Sequence, residues 1–296
     1  MADFRTGSVG ILGRANVGKS TFLNTIMGEK LLITSTKPQT TRNRIRCVYT
    51  TDTVQIVFVD TPGLHQPRTQ LGRYILRASF RALREIDLLM YMVEARGEVN
   101  RYDRLIFNRL MDHGYPIFLL VNKIDRASDD KIKETLLAYS TINRFAELIP
   151  VCALRGDNVD EVIRTVVSYL PQGKPLFDPS VRTDCSEEFL VGELIREKIF
   201  QSTFHELPYS TAVQVTQMSE RKDGLIKIHA NIIVDRNSQK GIIVGKGGKM
   251  IKKIGTQARR DIESLLGTHV FIDLRVKTAS GWTKEKERIE QLVGRD

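Results

Sequence analysis

The chain has 296 residues, of which 41% are hydrophobic and 27% are charged, and its formal net charge is +10. This length predicts two domains, and the ordinary composition excludes a disordered, collagen-like or disulfide-scaffold protein. Three scattered cysteines without the short spacings of a zinc site predict reduced thiols and a cytoplasmic protein. No apolar run is long enough for a signal peptide or a membrane span, although a basic surface could still contact an anionic membrane.

The first half alternates short apolar runs with amphipathic stretches. Buried strands are predicted at 54–60, 87–93, 116–121 and 148–152. Helices are predicted at 71–86, 103–113, 131–145 and 159–170. Asn158 and Glu161 have the spacing of a capping box at the start of the last of these helices. The alternation predicts an α/β fold with a mostly parallel sheet, helices on both faces and binding groups at the carboxyl ends of the strands.

A segment rich in proline and glycine, residues 171–179, separates this half from the rest of the chain. Beyond it we predict a helix at 187–204, strands at 210–218, 226–235 and 270–276, a helix pair around Gly245–Gly248 and a tail helix at 283–292. Trp282 is expected to pack inside this part. The predicted organisation is therefore a first domain at 1–172, a linker at 173–182 and an α+β domain at 183–296.

A phosphate-binding loop is predicted at residues 13–20, GRANVGKS, between an apolar run and a helical stretch. Its glycines allow backbone N–H groups and a helix N-terminus to surround phosphates. Lys19 would reach the β and γ phosphates, and the Ser20 hydroxyl would ligate Mg²⁺. Asn16 is a candidate ligand for a monovalent cation such as K⁺, and ordinary loop hydrogen bonding is the alternative.

Two further segments follow predicted strands. Asp60 begins the sequence DTPG, where the carboxylate could hold Mg²⁺ through water and the Gly63 N–H could contact a γ phosphate; a plain turn is the alternative. Asn122 begins the sequence NKID, and the Asp125 carboxylate accepts hydrogen bonds from the two donors on the guanine edge, which adenine lacks. The pattern therefore predicts a guanine nucleotide.

The remaining residues of the predicted pocket are assigned from their positions in the sequence relative to these motifs. Lys123 would cover the base, Asn122 would tie its loop to the phosphate-binding loop, and the Ala153 N–H would donate to the guanine O6. Between the first helix and Asp60, one threonine should ligate Mg²⁺ in the GTP state, and we favour Thr41 over Thr40.

The residue after Gly63 is Leu64, where Ras-like proteins have the glutamine that orients the attacking water. The sequence therefore predicts slow intrinsic hydrolysis. Lys19, Thr41 and Gly63 are the candidate catalytic residues.

A second site is predicted at the sequence GKGG, Gly245–Gly248, between two helical patterns. The window from Arg236 to Arg260 contains eight basic residues and no acidic one. Such a window indicates a surface for a polyanion, with a solvated helix face as the alternative. In KH domains a GxxG loop holds the backbone of about four nucleotides. The neighbouring isoleucines, Ile242, Ile251 and Ile254 among them, form either the floor for bases or part of the core.

These motifs together resemble the Era family of bacterial GTPases, in which a G domain precedes a type II KH domain. The resemblance rests on the Asn16-containing loop, residues 39–42 (QTTR), residues 60–65 (DTPGLH), NKID and GKGG in this order, and covers nearly the whole chain. Cys152 replaces a serine that the family usually has, with little expected loss.

The resemblance implies a GTP-hydrolysing switch that binds the 3′ end of 16S ribosomal RNA and acts in assembly of the 30S subunit. It also implies peripheral association with the inner membrane, and we expect a monomer. The alternative is a general RNA-binding GTPase with a non-ribosomal or membrane-associated cell-cycle role. The predicted nucleotide-binding residues are Gly13, Arg14, Ala15, Asn16, Val17, Gly18, Lys19, Ser20, Thr21, Asp60, Thr61, Pro62, Gly63, Leu64, Asn122, Lys123, Asp125, Cys152, Ala153 and Leu154. The predicted metal ligands are Ser20, Thr41 and Asp60. The predicted RNA-binding residues are Gly245, Lys246, Gly247, Gly248, Lys249, Lys252 and Lys253.

Overall fold

Helices and strands were assigned in a computed structural model that describes residues 4–37, 40–64, 66–67, 69–110 and 114–294. The chain divides into two units. The first consists of Met1–Leu32, Arg44–Gln66 and Leu76–Asp184. The second consists of Ile33–Asn43, Pro67–Ile75 and Cys185–Asp296. The domain bounds predicted from the sequence stay a prediction.

The first unit contains a six-stranded sheet in the order β2-β3-β1-β4-β5-β6. Its strands are β1 (Arg5–Gly13), β2 (Ile45–Thr50), β3 (Val54–Asp60), β4 (Leu88–Glu94), β5 (Ile117–Asn122) and β6 (Glu147–Val151). All neighbouring pairs are parallel except β2 with β3. Every residue of β3 and β5 is buried, as expected of strands covered on both faces. The predicted α/β class is confirmed.

In the described ranges four helices lie wholly in the first unit, namely α1 (Lys19–Met27), α3 (Arg101–Leu110), α4 (Asp129–Ser140) and α5 (Val159–Tyr169). Helix α2 (Gln70–Arg81) begins in the second unit and continues in the first from Leu76. Helix α2 ends five residues earlier than predicted because the chain tightens into turns, with the Leu83 N–H donating to the Phe80 carbonyl three residues back. The predicted end of α3 falls on residues 111–113, outside the described part of the chain.

Helix α4 also ends five residues earlier than predicted, at Ser140, where the Ile142 N–H donates to the Tyr139 carbonyl three residues back. In addition, one strand was missed and one predicted cap was wrong. Strand β2 was not predicted, because in this antiparallel edge strand three of the six residues are only half-buried and the buried ones form neither an alternating pattern nor a continuous apolar run. The capping box at Asn158 is not present. Asn158 adopts a left-handed conformation with φ 61° and makes no side-chain cap; its Nδ2 instead donates to the Pro150 carbonyl at 2.8 Å.

The second unit is an α+β arrangement around a three-stranded sheet in the order β7-β8-β9. Its elements are α6 (Glu187–Ser202), β7 (Thr211–Glu220), β8 (Ile226–Val234), α7 (Asn237–Val244), α8 (Lys249–Leu266), β9 (Val270–Thr278) and α9 (Lys286–Val293). Strand β8 is antiparallel to β7 and parallel to β9. Fully buried Ile195, Ile228 and Ile254 join α6, β8 and α8 in one hydrophobic core. Trp282 is also fully buried, as expected, and its Nε1 donates to the Ser210 carbonyl at 3.1 Å.

Candidate nucleotide site and RNA-binding surface

The predicted nucleotide-binding segments meet at one edge of the first sheet. Gly13 ends β1 and pairs with Met92 of β4, while Asn122 ends β5 and pairs with Glu94 and Val151 on its two sides. Asp60 ends β3 and pairs with Ile11. Because parallel strands point the same way, the loops that follow them share the carboxyl edge of the sheet.

The phosphate-binding loop leads from β1 into α1. Gly18 has φ +110°, and a Cβ placed there would lie 2.2 Å from the Asn122 Nδ2, so both the backbone conformation and the space require glycine. The Asn122 Nδ2 donates to the Val17 carbonyl at 2.7 Å. The tie between the two loops that the sequence predicted is therefore present.

Lys19 lies buried at the start of α1. Its Nζ donates to the carbonyls of Gly13 and Arg14, each at 3.2 Å. Burial lowers the pKa of Lys19 to about 8, and the negative charge of Asp60 only partly opposes this shift. A buried ammonium held mainly by neutral carbonyls is well suited to a polyanionic ligand.

The lowered pKa of Lys19 makes stability depend on pH. The unfolded chain, with a lysine pKa near 10.5, binds this proton more tightly than the folded chain, so the free energy of unfolding should rise with pH above about 8. Between pH 8 and pH 10, in the absence of nucleotide, the free energy of unfolding of the wild type should rise by about 2 kcal/mol more than that of Lys19→Met. Urea unfolding of both proteins measures this difference, and identical pH profiles would contradict it.

The predicted magnesium ligands Ser20 and Asp60 lie side by side. The Ser20 Oγ donates to the Asp60 Oδ2 at 3.0 Å, and Asp60 is fully buried. A hydroxyl and a carboxylate oxygen are ligands of the kind that Mg²⁺ prefers, so these residues fit the ion. Within the described ranges no group of three or more His, Cys, Asp or Glu side chains could hold a metal, and Mg²⁺ usually takes only one or two protein ligands beside phosphates.

The loop after Asp60 is bound to the phosphate-binding loop through its backbone. The Leu64 N–H donates to the Gly13 carbonyl at 2.9 Å, and the Ala15 N–H donates to the Leu64 carbonyl at 3.3 Å. The Leu64 side chain is only 2% exposed and belongs to the hydrophobic core. This position therefore supplies no side chain that could orient a water molecule.

The base-recognition residues are linked by side-chain hydrogen bonds. The Cys152 Sγ donates to the Asp125 Oδ1 at 3.2 Å, so the thiol can hold the carboxylate as a serine hydroxyl would. The Ala153 N–H donates to the Asn122 Oδ1 at 2.9 Å. Its predicted bond to the guanine O6 would thus be shared with, or exchanged for, this contact. Leu154 is 71% exposed.

Glu94 is a residue of the site that the sequence analysis missed. It ends β4 at the same edge of the sheet, and the Lys123 Nζ donates both to its carboxylate and, at 2.7 Å, to the Asn16 carbonyl. Burial would raise the pKa of Glu94, but hydrogen bonds from Lys123 and Arg96 outweigh burial and lower it. The position of Glu94 directly after the strand predicted at 87–93 was the signal that could have identified it.

The threonines near the predicted switch belong to the second unit. Thr40 and Thr41 are both 8% exposed, and the Thr40 Oγ1 donates to the Lys37 carbonyl at 2.8 Å. The role of Thr41 at Mg²⁺ therefore stays a prediction. Gln39 and His65, which contributed to the resemblance, lie outside the described residues.

The GxxG sequence forms the turn between α7 and α8, since α7 ends at Val244 and α8 begins at Lys249. Gly247 lies exposed at this turn, with φ +60° and open space around its Cα. The predicted RNA-binding lysines are all exposed, namely Lys246, Lys249, Lys252 and Lys253. Ile254 is fully buried, as expected of a core residue, whereas Ile242 is 54% exposed. The turn thus presents glycine backbone and four ammonium groups to solvent, as phosphate binding requires.

Two family models match the chain. A family described as 50S ribosome-binding GTPase matches residues 8–123, and a family described as KH domain matches residues 206–283. The first range includes the phosphate-binding loop and Asp60, and the second includes the GxxG turn.

Curated relatives and solved structures agree with these matches. GTPase Era of Geobacter metallireducens is 46% identical over 98% of this chain and 97% of its own length, and GTPase Era of Geotalea uraniireducens is 44% identical over 98% of both. A crystal structure of Era in complex with MgGDPNP and nucleotides 1506–1542 of 16S ribosomal RNA has a TM-score of 0.92 at 34% identity, covering 98% of this chain and 99% of that one.

A crystal structure of an Era variant from Aquifex aeolicus bound to GDP and AlF4⁻ has a TM-score of 0.94 at 33% identity, with coverage of 98% of this chain and 99% of that one. Both the curated relatives and these two structures are more than 30% identical to the chain over nearly its full length. The chain is a Mg²⁺-dependent GTPase with a KH domain and belongs to the Era family.

Proposed function

We propose that this GTPase is a switch that binds 16S ribosomal RNA through its KH domain and acts in assembly of the 30S ribosomal subunit. The observation that carries the proposal is that one chain contains both a guanine-nucleotide site, whose loops are joined by hydrogen bonds, and an exposed basic GxxG turn. The similar Era structure that holds nucleotides 1506–1542 of 16S ribosomal RNA supports this choice of RNA.

In the proposed mechanism the chain's own residues bind and orient the nucleotide. Lys19 neutralises phosphate charge, the Gly63 N–H contacts the γ phosphate, and Asp125 selects guanine by accepting from its two donors. Ser20 and Thr41 directly, and Asp60 through water, would hold the Mg²⁺, which offsets the charge on the phosphates. The residues of the phosphate-binding loop at the start of α1 would surround the phosphates with backbone N–H groups.

The RNA site is proposed at the GxxG turn and the first two turns of α8. The exposed glycine backbone admits phosphates at close range, and Lys246, Lys249, Lys252 and Lys253 neutralise them. The most direct test compares binding of a short RNA of the 16S 3′-end sequence with binding of a scrambled RNA of the same composition. Preference for the first supports the ribosomal role, and equal affinities would leave a general RNA-binding GTPase.

Intrinsic GTP hydrolysis is proposed to be slow, because the buried Leu64 side chain cannot orient the attacking water. We propose that a K⁺ ion bound at Asn16 accelerates it. A cation at this loop would add a fixed positive charge beside the phosphates. We expect faster hydrolysis in potassium chloride than in sodium chloride at equal ionic strength. In Asn16→Gly the side chain is removed, and glycine readily adopts the φ of 66° found at this position. This variant should hydrolyse GTP at the same rate in potassium chloride and in sodium chloride. Equal wild-type rates in the two salts would leave Asn16 an ordinary loop residue.

We propose that the protein is cytoplasmic and monomeric. Its basic surface is proposed to contact the inner membrane peripherally. No helix in the described part of the chain is long and apolar enough to cross a membrane. Of the described residues, which include all three cysteines, none forms a disulfide. Flotation of the purified protein with anionic and with neutral vesicles tests the membrane contact, which should require the anionic lipid.

A further inference from the structure

The exposed side of α2 and α3 in the first unit is rich in arginine. From Leu76 to Asp87 and from Arg101 to Leu110 the sequence contains six arginines, no lysine and three acidic residues. All six arginines are exposed, and none belongs to the nucleotide site or to the GxxG turn. They form what we call the arginine face, namely Arg77, Arg81, Arg84, Arg101, Arg104 and Arg109.

Helix geometry brings these arginines together in two rows. Arg77 and Arg81 are four residues apart on α2, and Arg84 follows Arg81 by three residues in the turn after the helix. On α3 the same spacing of three relates Arg101 to Arg104. Positions three or four apart are neighbours on a helix surface. Each helix therefore presents arginines side by side to solvent.

An aromatic contact places the two rows next to each other. The guanidinium carbon of Arg109, on α3, lies 5.3 Å from the centroid of the Phe80 ring of α2. Phe80 lies three residues after Arg77 and four before Arg84, so Arg109 lies beside the row on α2. Phe80 also packs against the hydrophobic core to which α3 contributes. The two rows therefore form one surface.

The charge of the arginine face is strongly positive. None of its six arginines forms an ion pair with a described residue. Asp103 is 1% exposed, and its carboxylate oxygens accept from the Tyr91 and Tyr139 hydroxyls at 2.7 and 2.6 Å inside the core. The other two acidic residues of these segments, Glu85 and Asp87, are exposed. Six positive charges therefore meet two negative ones at this surface.

These features favour RNA as the partner. Like charges three or four residues apart on a helix repel each other, so the rows cost stability until an anion covers them. The planar fork of arginine donates two N–H groups to one phosphate and can also stack on a base. A helix that binds a membrane instead exposes an apolar face for insertion. Among the described residues of α2 and α3, Leu105, at 55%, is the only exposed large apolar side chain.

We propose that the arginine face binds the phosphate backbone of RNA, as a contact of the first unit that is separate from the GxxG turn. This contact presupposes the proposed RNA-binding role of the protein and gives the first unit an RNA site of its own. Phosphate contacts carry no base information, so the arginine face adds affinity and orientation but reads no sequence.

The test measures binding of a fluorescent RNA stem-loop by anisotropy over a range of salt concentrations, with saturating Mg²⁺ and GDP. The variant replaces Arg77, Arg81 and Arg104 by glutamine, which is a good helix former. We expect its RNA affinity to fall about tenfold or more at low salt and its GTP hydrolysis to stay unchanged. The slope of log affinity against log salt should decrease by about 2–3, since each phosphate contact contributes roughly 0.7–0.9.

A matched control variant removes three exposed positive charges elsewhere in the first unit, by Arg144→Gln, Arg164→Gln and Lys174→Gln. Its RNA affinity and salt slope should stay close to those of the wild type. Equal losses in the two variants would attribute binding to net charge alone and overturn the proposal. So would a loss of binding to anionic vesicles without a loss of RNA affinity, which would assign the arginine face to a membrane.

Gly247→Asp separates this contact from the GxxG turn. Combined with Gly247→Asp, the three arginine changes should weaken RNA binding further. Weak binding by Gly247→Asp, with wild-type affinity and slope in the arginine variant, would overturn the arginine face and retain the proposed RNA function. The reverse pattern would retain the arginine face and contradict the GxxG site. Arg81→Gln alone should decrease the slope by about 0.7–0.9, a readout that stands even if the triple variant fails to fold.

Discussion

Replacing Asp125 by asparagine should weaken binding of GTP and GDP by roughly 100- to 10,000-fold, because two charge-assisted hydrogen bonds to guanine, each worth about 1.5–3 kcal/mol, are lost. The amide can donate where the carboxylate could only accept, so xanthosine nucleotides should bind the variant better than guanosine nucleotides do. Fluorescent-nucleotide titration with both bases measures the reversal. Unchanged GTP affinity in the variant would contradict the assignment of guanine to Asp125.

Cys152 offers a matched control for this experiment. Its Sγ donates to the Asp125 Oδ1 at 3.2 Å, and in Cys152→Ser a hydroxyl donates from the same place. We therefore expect Cys152→Ser to keep its preference for guanine, with an affinity within a few fold of the wild type. A change of base preference in this variant would mean that the packing around the buried residue 152, rather than the carboxylate of Asp125, decides specificity.

Gly247→Asp should reduce RNA affinity at least tenfold at low salt and leave GTP hydrolysis unchanged. The new carboxylate would lie close to an RNA phosphate, where like charges about 4 Å apart cost roughly 1–4 kcal/mol. The fold should survive, because nothing lies within 4 Å of a Cβ at residue 247 and aspartate tolerates a φ of +60° better than most residues. RNA binding by fluorescence anisotropy, beside a GTPase assay, measures both effects.

The control for Gly247→Asp is Gly247→Asn, which has nearly the same size and tolerance of positive φ but no charge. We expect the asparagine variant to retain much more RNA affinity than the aspartate variant, and the gap between them to narrow as salt rises. Equal losses in the two variants at every salt concentration would attribute the effect to backbone or volume, and full affinity in both would remove the turn from the RNA site.

Strands buried on both faces were the most predictable elements. The run from Val54 to Asp60 was predicted with the bounds that β3 has, because continuous burial leaves a continuous apolar pattern. Strand β2 left no such pattern, since only one of its neighbours is a strand and half its side chains are not fully buried. Asn158 shows a second limit of prediction from sequence. Asparagine is common both at helix N-caps and in the left-handed backbone conformation, so the residue type alone does not tell the two apart.

The nucleotide site was largely predictable because its residues occur in short motifs, and the spacing within each motif is the one that binding of phosphate, Mg²⁺ or guanine requires. The phosphate-binding loop follows β1, whereas Asp60 and Asn122 are the last residues of β3 and β5, and their contacts form at the shared edge of the sheet. The burial of Arg42, whose guanidinium donates to the carbonyls of Thr211 and Pro208, was not predictable. It depends on contacts between residues more than 150 positions apart, which no local pattern encodes.

Coupling between nucleotide binding and RNA binding in one chain is the central property of the proposed switch. The measurement that tests it most directly is the affinity of the 16S 3′-end RNA for the full chain saturated with Mg²⁺ and GDP, compared with Mg²⁺ and a non-hydrolysable GTP analogue. We predict affinities that differ by roughly 5- to 150-fold, with the same factor appearing when nucleotide affinity is measured with and without RNA. Equal RNA affinities in the two nucleotide states would contradict the switch.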